Sequence, residues 1–256
     1  MQRPSHVVCF TTGSSTPRHL LALHTLAGRW LSLAGSPVWP FRHPLIRQGS
    51  DCATVKKLYD ENSEIAIHTV THKRLDPSFA GGEDAMREEM FGVRAWLNTE
   101  CGIPLEDLRG FRAPYLISNQ MTRALLQKEG MLYDSSMISA FSRGSEVSEM
   151  AGQRPFPFTM DAGIPINAEW NYPDGQCNCS TESYPGMFEL PMYELQSAAG
   201  EHLASMDPEG DALNIYRENF DMNYANNRAP FGVYLHAPVR ALNLIDVYDR
   251  VADRPI

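Results

Sequence analysis

From Asp51 onward the chain alternates short apolar runs with longer stripes of helical period, and this alternation limits the fold more than any other feature. Glu64 to His68 reads as a strand with Ile65 and Ile67 on one face, and Met86, Met90, Val93 and Leu97 mark one side of a helix. Leu108 to Arg112 is the next strand, stopped by Pro114, which cannot donate to a ladder. Ser118 is placed to cap a helix that turns Met121, Leu125 and Leu126 inward, and Gly130 to end it. Met131 to Tyr133, Phe156 to Met160, Met187 to Leu190 and Gly232 to Leu235 read as further strands. Three more helices are expected. One is capped by Ser50 or Asp51 and runs to Leu58, one starts at Asp207-Pro208 and carries Leu213, Tyr216 and Phe220, and a last one carries Leu242, Ile245, Tyr248 and Val251. Strand and helix in this order imply parallel strands joined by crossover helices, an α/β fold.

Charge divides the chain in two. Residues 1–50 carry five Arg and no Asp or Glu, a charge of +5, whereas the other 206 residues carry 17 basic and 31 acidic groups. The first 50 residues therefore read as an atypical segment and 51–256 as the main domain. Their Arg- and Ser-rich, acid-poor composition is that of an organelle transit peptide, or of a misassigned start. No clear signal peptide and no apolar run long enough to span a membrane is present; Leu20 to Ala34 comes nearest and is broken by His24 and Arg29. The net charge of −9 argues against a nucleic-acid partner, since backbone binding needs a basic field. The compartment is not fixed by these features.

Five cysteines leave at least one free or paired outside the chain. Cys177 and Cys179 share a loop, where a Cys-x-Cys pair suits a metal or two separate disulfides, and Asn178-Cys179-Ser180 is a glycosylation sequon. Sequence alone does not pair Cys52, Cys101, Cys177 and Cys179.

Three motifs fall at the carboxyl ends of expected strands, where ligands collect in α/β folds. His68-Thr69-Val70-Thr71-His72 places two imidazoles four residues apart, able to face one metal ion or to stand as two surface histidines. Arg112-Ala113-Pro114-Tyr115 offers a guanidinium for a carboxylate, a backbone N–H for an oxyanion and a ring for a sugar face. Tyr234-Leu235-His236 offers a third imidazole.

Together these motifs resemble the polysaccharide deacetylase family of NodB-type carbohydrate esterases, nearest its chitin-deacetylase-like branch. His68 to His72 matches H-[ST]-x-x-H, Arg112 to Tyr115 matches R-x-P-[YF], and Leu235-His236 matches the late L-H motif. Tyr133-Asp134-Ser135-Ser136, Phe156 to Asp161 and Phe188 to Met192 also fit. The resemblance implies a distorted (β/α) barrel of about seven parallel strands, here read as incomplete at both ends. It implies an N-acetylated polysaccharide as substrate and a divalent ion, usually zinc, with His68 and His72 as ligands. His236 would protonate the leaving amine, the Tyr115 N–H would hold the oxyanion, and Arg112 would orient a catalytic carboxylate in a network that includes Asp161. Family members are mostly secreted.

One departure matters for chemistry. The family's Asp-Asp motif on the first strand is missing, and the nearest text, Val8-Cys9-Phe10-Thr11-Thr12-Gly13, has Thr at both places. A Thr hydroxyl is a poor zinc ligand and no base near neutral pH. No strand–helix–strand text is legible before Asp51, and the chain stops at Ile256 where the family adds a strand. Two functions follow as expectations: a metal-dependent deacetylase impaired by the missing acids, or an inactive homologue that still binds glycan.

Overall fold

The computed structural model describes residues 7–11, 41–46, 50–139, 154–164, 170–171 and 181–236. Strands β1 (Val7–Thr11), β2 (Phe41–Ile46), β3 (Ala66–Ile67), β4 (Gly110–Phe111), β5 (Tyr133–Asp134), β9 (Phe188–Glu189) and β13 (Gly232–His236) run parallel. Their order is β13-β1-β2-β3-β4-β5-β9, with β7 (Phe158–Thr159) added antiparallel at the β9 edge; β6 (Ile138–Ser139), β8 (Trp170–Asn171) and β10 (Met192–Tyr193) form a second small sheet, and β11 (Leu195–Gln196) pairs with β12 (His202–Leu203). The last strand thus returns beside the first, as a barrel requires, and the architecture is the expected α/β barrel of seven parallel strands in distorted form. Among the described residues no ladder joins β13 to β9 or β7.

Helices supply the crossovers. α1 (Cys52–Asp60) links β2 to β3, α2 (Gly82–Cys101) links β3 to β4, α3 (Gln120–Lys128) links β4 to β5, and α4 (Ala212–Ala225) leads into β13. The expected stripe of α2 is the core: Met86, Met90, Val93 and Leu97 are fully buried, together with Ile65, Ile67 and Phe111 of the sheet. Residues on both faces of β3 are buried, which is why its sequence is a run rather than an alternation. Cys52 and Cys101 form a disulfide that ties the start of α1 to the end of α2.

Several boundaries differ from the sequence reading. α3 is capped by Asn119, whose side chain accepts from Met121 and Thr122 while Thr122 answers with a capping box. Ser118 is drawn off instead to the buried carboxylate of Asp134, 3.0 Å away. The helix expected at Asp207-Pro208 begins at Ala212, capped by Asp211, because Asp207 takes a left-handed φ of 46° that a helix cannot include. Upstream of Asp51, where no strand–helix–strand text was legible, β1 and β2 stand inside the sheet. Pro44 within β2, opposite Phe10, hides the usual strand signal, and the pairing comes from the neighbours on either side. The expected last helix around Leu242 to Val251 and the Cys177–Cys179 loop lie outside the described residues.

Candidate active site

The turn after β3 bends sharply: Thr69 and His72 both adopt left-handed backbone, φ 69° and 62°. Glu89, buried on α2, holds this bend. Its Oε1 accepts the Thr71 N–H at 2.8 Å, its Oε2 accepts the Thr71 hydroxyl at 2.9 Å, and its backbone carbonyl accepts the Val70 N–H. The Thr69 hydroxyl accepts the His72 N–H at 3.0 Å. The result brings His68 and His72 edge to face, with ring centroids 4.8 Å apart. Glu89 was not singled out from sequence; a carboxylate between Glu88 and Met90 on an otherwise apolar helix face was the available signal.

The turn after β4 meets the first. His68 is buried and its Nδ1 lies 2.8 Å from the Arg112 carbonyl, so Nδ1–H donates there and the ring orientation is fixed. Tyr115 and Leu116 are also left-handed, φ 57° and 58°. Four non-glycine residues in this conformation around one cleft is the kind of backbone strain that gathers at working sites. Among the described residues the Tyr115 N–H makes no hydrogen bond. Its ring, 59% exposed, packs edge-on against His72 at 5.0 Å and lies under Arg74.

The stretch Tyr133 to Ser136 is the underside of this site. Arg112 Nε and Nη2 donate to the Ser135 carbonyl and hydroxyl, both at 2.7 Å, and the Ser136 hydroxyl accepts the Ala113 N–H at 2.8 Å and itself donates to Asp134. The Arg112 guanidinium stacks on Tyr234 at 4.7 Å. That ring fits only because Gly232 stands two residues earlier, where a Cβ would meet it at 2.3 Å. Asp134 and its cross-strand neighbour Glu189 are fully buried. Burial pushes the carboxyl of Glu189 well up, reinforced by the nearby Asp134; burial likewise raises Asp134, against its bonds from Ser136 and Ser118.

His68, His72, Arg112 and Tyr115 line one cleft of about 450 Å3, together with Ile138, Glu194 and Leu203 to Met206. The structure brings these four expected residues together. It places the backbone of His236 at the carboxyl end of β13, in register with Thr11 of β1. Asp161 it places elsewhere: the residue is exposed, its carboxylate accepts the Gly186 N–H, and it does not line the cleft. Arg112 reaches Ser135, not Asp161, so the expected Arg112–Asp161 network does not form; Asp161 follows β7, three places along the sheet from β4.

For a divalent ion the cleft offers the imidazoles of His68 and His72, but among the described residues no group of three His, Cys, Asp or Glu is placed to hold a metal. Thr12 lies outside those residues.

No family model matches the chain. It is 29% identical over 202 residues to Chitin deacetylase 1 of Bombyx mori, a match covering 72% of this chain and 34% of that protein. It is 23% identical over 199 residues to Chitin deacetylase 8 of the same organism, covering 71% and 47%. A putative polysaccharide deacetylase from Mycobacterium smegmatis superposes with a TM-score of 0.52 at 18% identity, covering 93% of this chain and 70% of that one. The chain is thus similar in sequence to chitin deacetylases and in fold to a polysaccharide deacetylase. The chain spans a third to a half of the length of the curated relatives it matches. No helix among the described residues is long and apolar enough to cross a membrane.

Proposed function

We propose that the cleft is a glycan N-deacetylase site of the metal-dependent kind, working with fewer acidic groups than its relatives. The observation that carries this is the convergence of His68, His72, Arg112 and Tyr115 on one cleft. His68 and His72 would hold a divalent ion, zinc by resemblance, which when bound polarises the acetyl carbonyl and acidifies water. Tyr115 presents an N–H to the oxyanion and an aromatic face to the sugar, and His236 at the end of β13 is the candidate acid for the leaving amine. Arg112, fixed by Ser135 and Tyr234, holds the floor and orients His68 through its carbonyl.

The donor count favours a second reading, a homologue that binds N-acetylated glycan with little turnover. Catalytic zinc normally keeps three protein ligands, and loss of a general base removes about a hundredfold to ten-thousandfold in rate. Acetate release from chitooligosaccharide with added zinc separates the two, using the chain as it stands, a Thr11→Asp/Thr12→Asp variant and His72→Ala. Slow release that rises in the Asp variant and vanishes in His72→Ala supports the hydrolase. Binding without release in every variant supports the second reading, and rapid release unaffected by His72→Ala overturns the metal assignment.

A further inference from the structure

Glu189 is fully buried and does not line the cleft. A buried carboxyl is costly unless both its oxygens are satisfied, and here only one is. Its Oε1 accepts the Met137 N–H at 3.0 Å, while its Oε2 has no hydrogen-bond partner among the described residues. Asp134, a second buried carboxyl, stands opposite it across the β5–β9 ladder. An apolar side chain here avoids the unpaired oxygen but leaves the buried Met137 N–H without its acceptor. The two costs nearly offset, so what the Glu adds is a fixed point on the backbone at Met137.

That point belongs to the segment on which the site rests. From one side the chain after β9 grips it: the Leu190 N–H donates to the Asp134 carbonyl and the Ser135 hydroxyl to the Leu190 carbonyl, both at 2.8 Å. Glu189 adds a side-chain bond from the same strand, two residues further on. On the other side the segment holds the cleft. Ser135 fixes Arg112, whose carbonyl accepts His68 Nδ1–H, and the Ser136 hydroxyl accepts the N–H of Ala113, two residues before Tyr115. Ile138, next after Met137, is itself part of the lining.

We propose that Glu189 is a positioning residue of this cleft: by holding Met137 it sets the Ser135–Ser136 pair, and through that pair the ring of His68 and the place of the Tyr115 turn. It touches no ligand and acts through these neighbours. The inference deepens the reading of the cleft as a deacetylase-type glycan site and rests on it.

Glu189→Leu and Glu189→Met remove the bond to Met137 and nearly keep the volume, whereas Glu189→Gln keeps an acceptor there. Each full chain is read by NMR exchange at the Ala113 amide and His68 Nδ1–H, by urea unfolding and by calorimetry with chitotetraose. In the apolar variants exchange at both protons is expected to be about tenfold faster and chitotetraose binding about tenfold weaker, at an unfolding midpoint close to that of the parent. Glu189→Gln is expected to restore both. Parent-like exchange in the Leu and Met variants overturns the proposal, as does a Gln variant that behaves like them. General loosening with a lower midpoint, up to failure to fold, also overturns it, because it marks a role in stability alone. A parent chain that does not bind chitotetraose overturns the glycan reading instead, and the exchange comparison still decides whether Glu189 places Ala113 and His68.

Discussion

His68 and His72 meet edge to face at 4.8 Å although the segment between them is not helical; two left-handed residues, Thr69 and His72 itself, make the turn. The spacing of four that suggests one helical turn is therefore satisfied by a strained loop, and that loop depends on groups outside it.

Glu89 is the main such group. Glu89→Ala removes the acceptors of the Thr71 N–H and hydroxyl and lets the loop relax. Zinc affinity, read by competition with a chromophoric chelator, is expected to fall about tenfold or more while circular dichroism stays that of the parent.

The two histidines should differ in stability effect. His68→Ala leaves the buried Arg112 carbonyl without its partner, at a cost of about 1–3 kcal/mol in urea unfolding. His72, half-buried and bonded through its backbone, should cost less than about 1 kcal/mol as Ala.

The Cys52–Cys101 disulfide closes a 49-residue separation. Cys101→Ser, or reduction, is expected to lower stability by about 2–4 kcal/mol, seen as an earlier denaturant midpoint. Such a bond persists in oxidising compartments, so the midpoint of protein made under reducing conditions should match that of the variant.

Glu189 sets a pH dependence. Its folded pKa is raised, chiefly by burial, so the folded chain holds a proton that the unfolded chain releases above the ordinary carboxylate range. Stability should then fall as pH rises from that range towards the raised folded value, and be fully present below it. Glu189→Gln, which copies the protonated form, should flatten that slope in urea midpoints measured across pH. An unchanged slope would assign it to Asp134, whose pKa is raised for the same first reason.

Much of the fold was legible because its core is patterned locally. Met86, Met90, Val93 and Leu97 lie on one side of α2 by helical period alone, and Asp51 caps α1 through Thr54 as its type suggests. The cap of α3 was misplaced by one residue, since Ser118 serves a carboxylate that arrives from β5, and no local rule reports that. The strand–helix–strand text around β1 and β2 was illegible for a related reason: Pro44 masks β2, and β1 is completed by β13 from the other end of the chain.

The sequence by itself determined the parallel α/β alternation, the three motifs at strand ends and the absence of an Asp pair beside Val8 to Thr12, because residue type and period are local properties. Only the tertiary structure decided that Glu89 sets the His68–His72 turn and that Ser135 and Tyr234 rather than Asp161 hold Arg112. Each of those is a meeting of side chains from separate strands and helices, and such meetings are fixed by how the strands are ordered around the barrel, which no local pattern encodes.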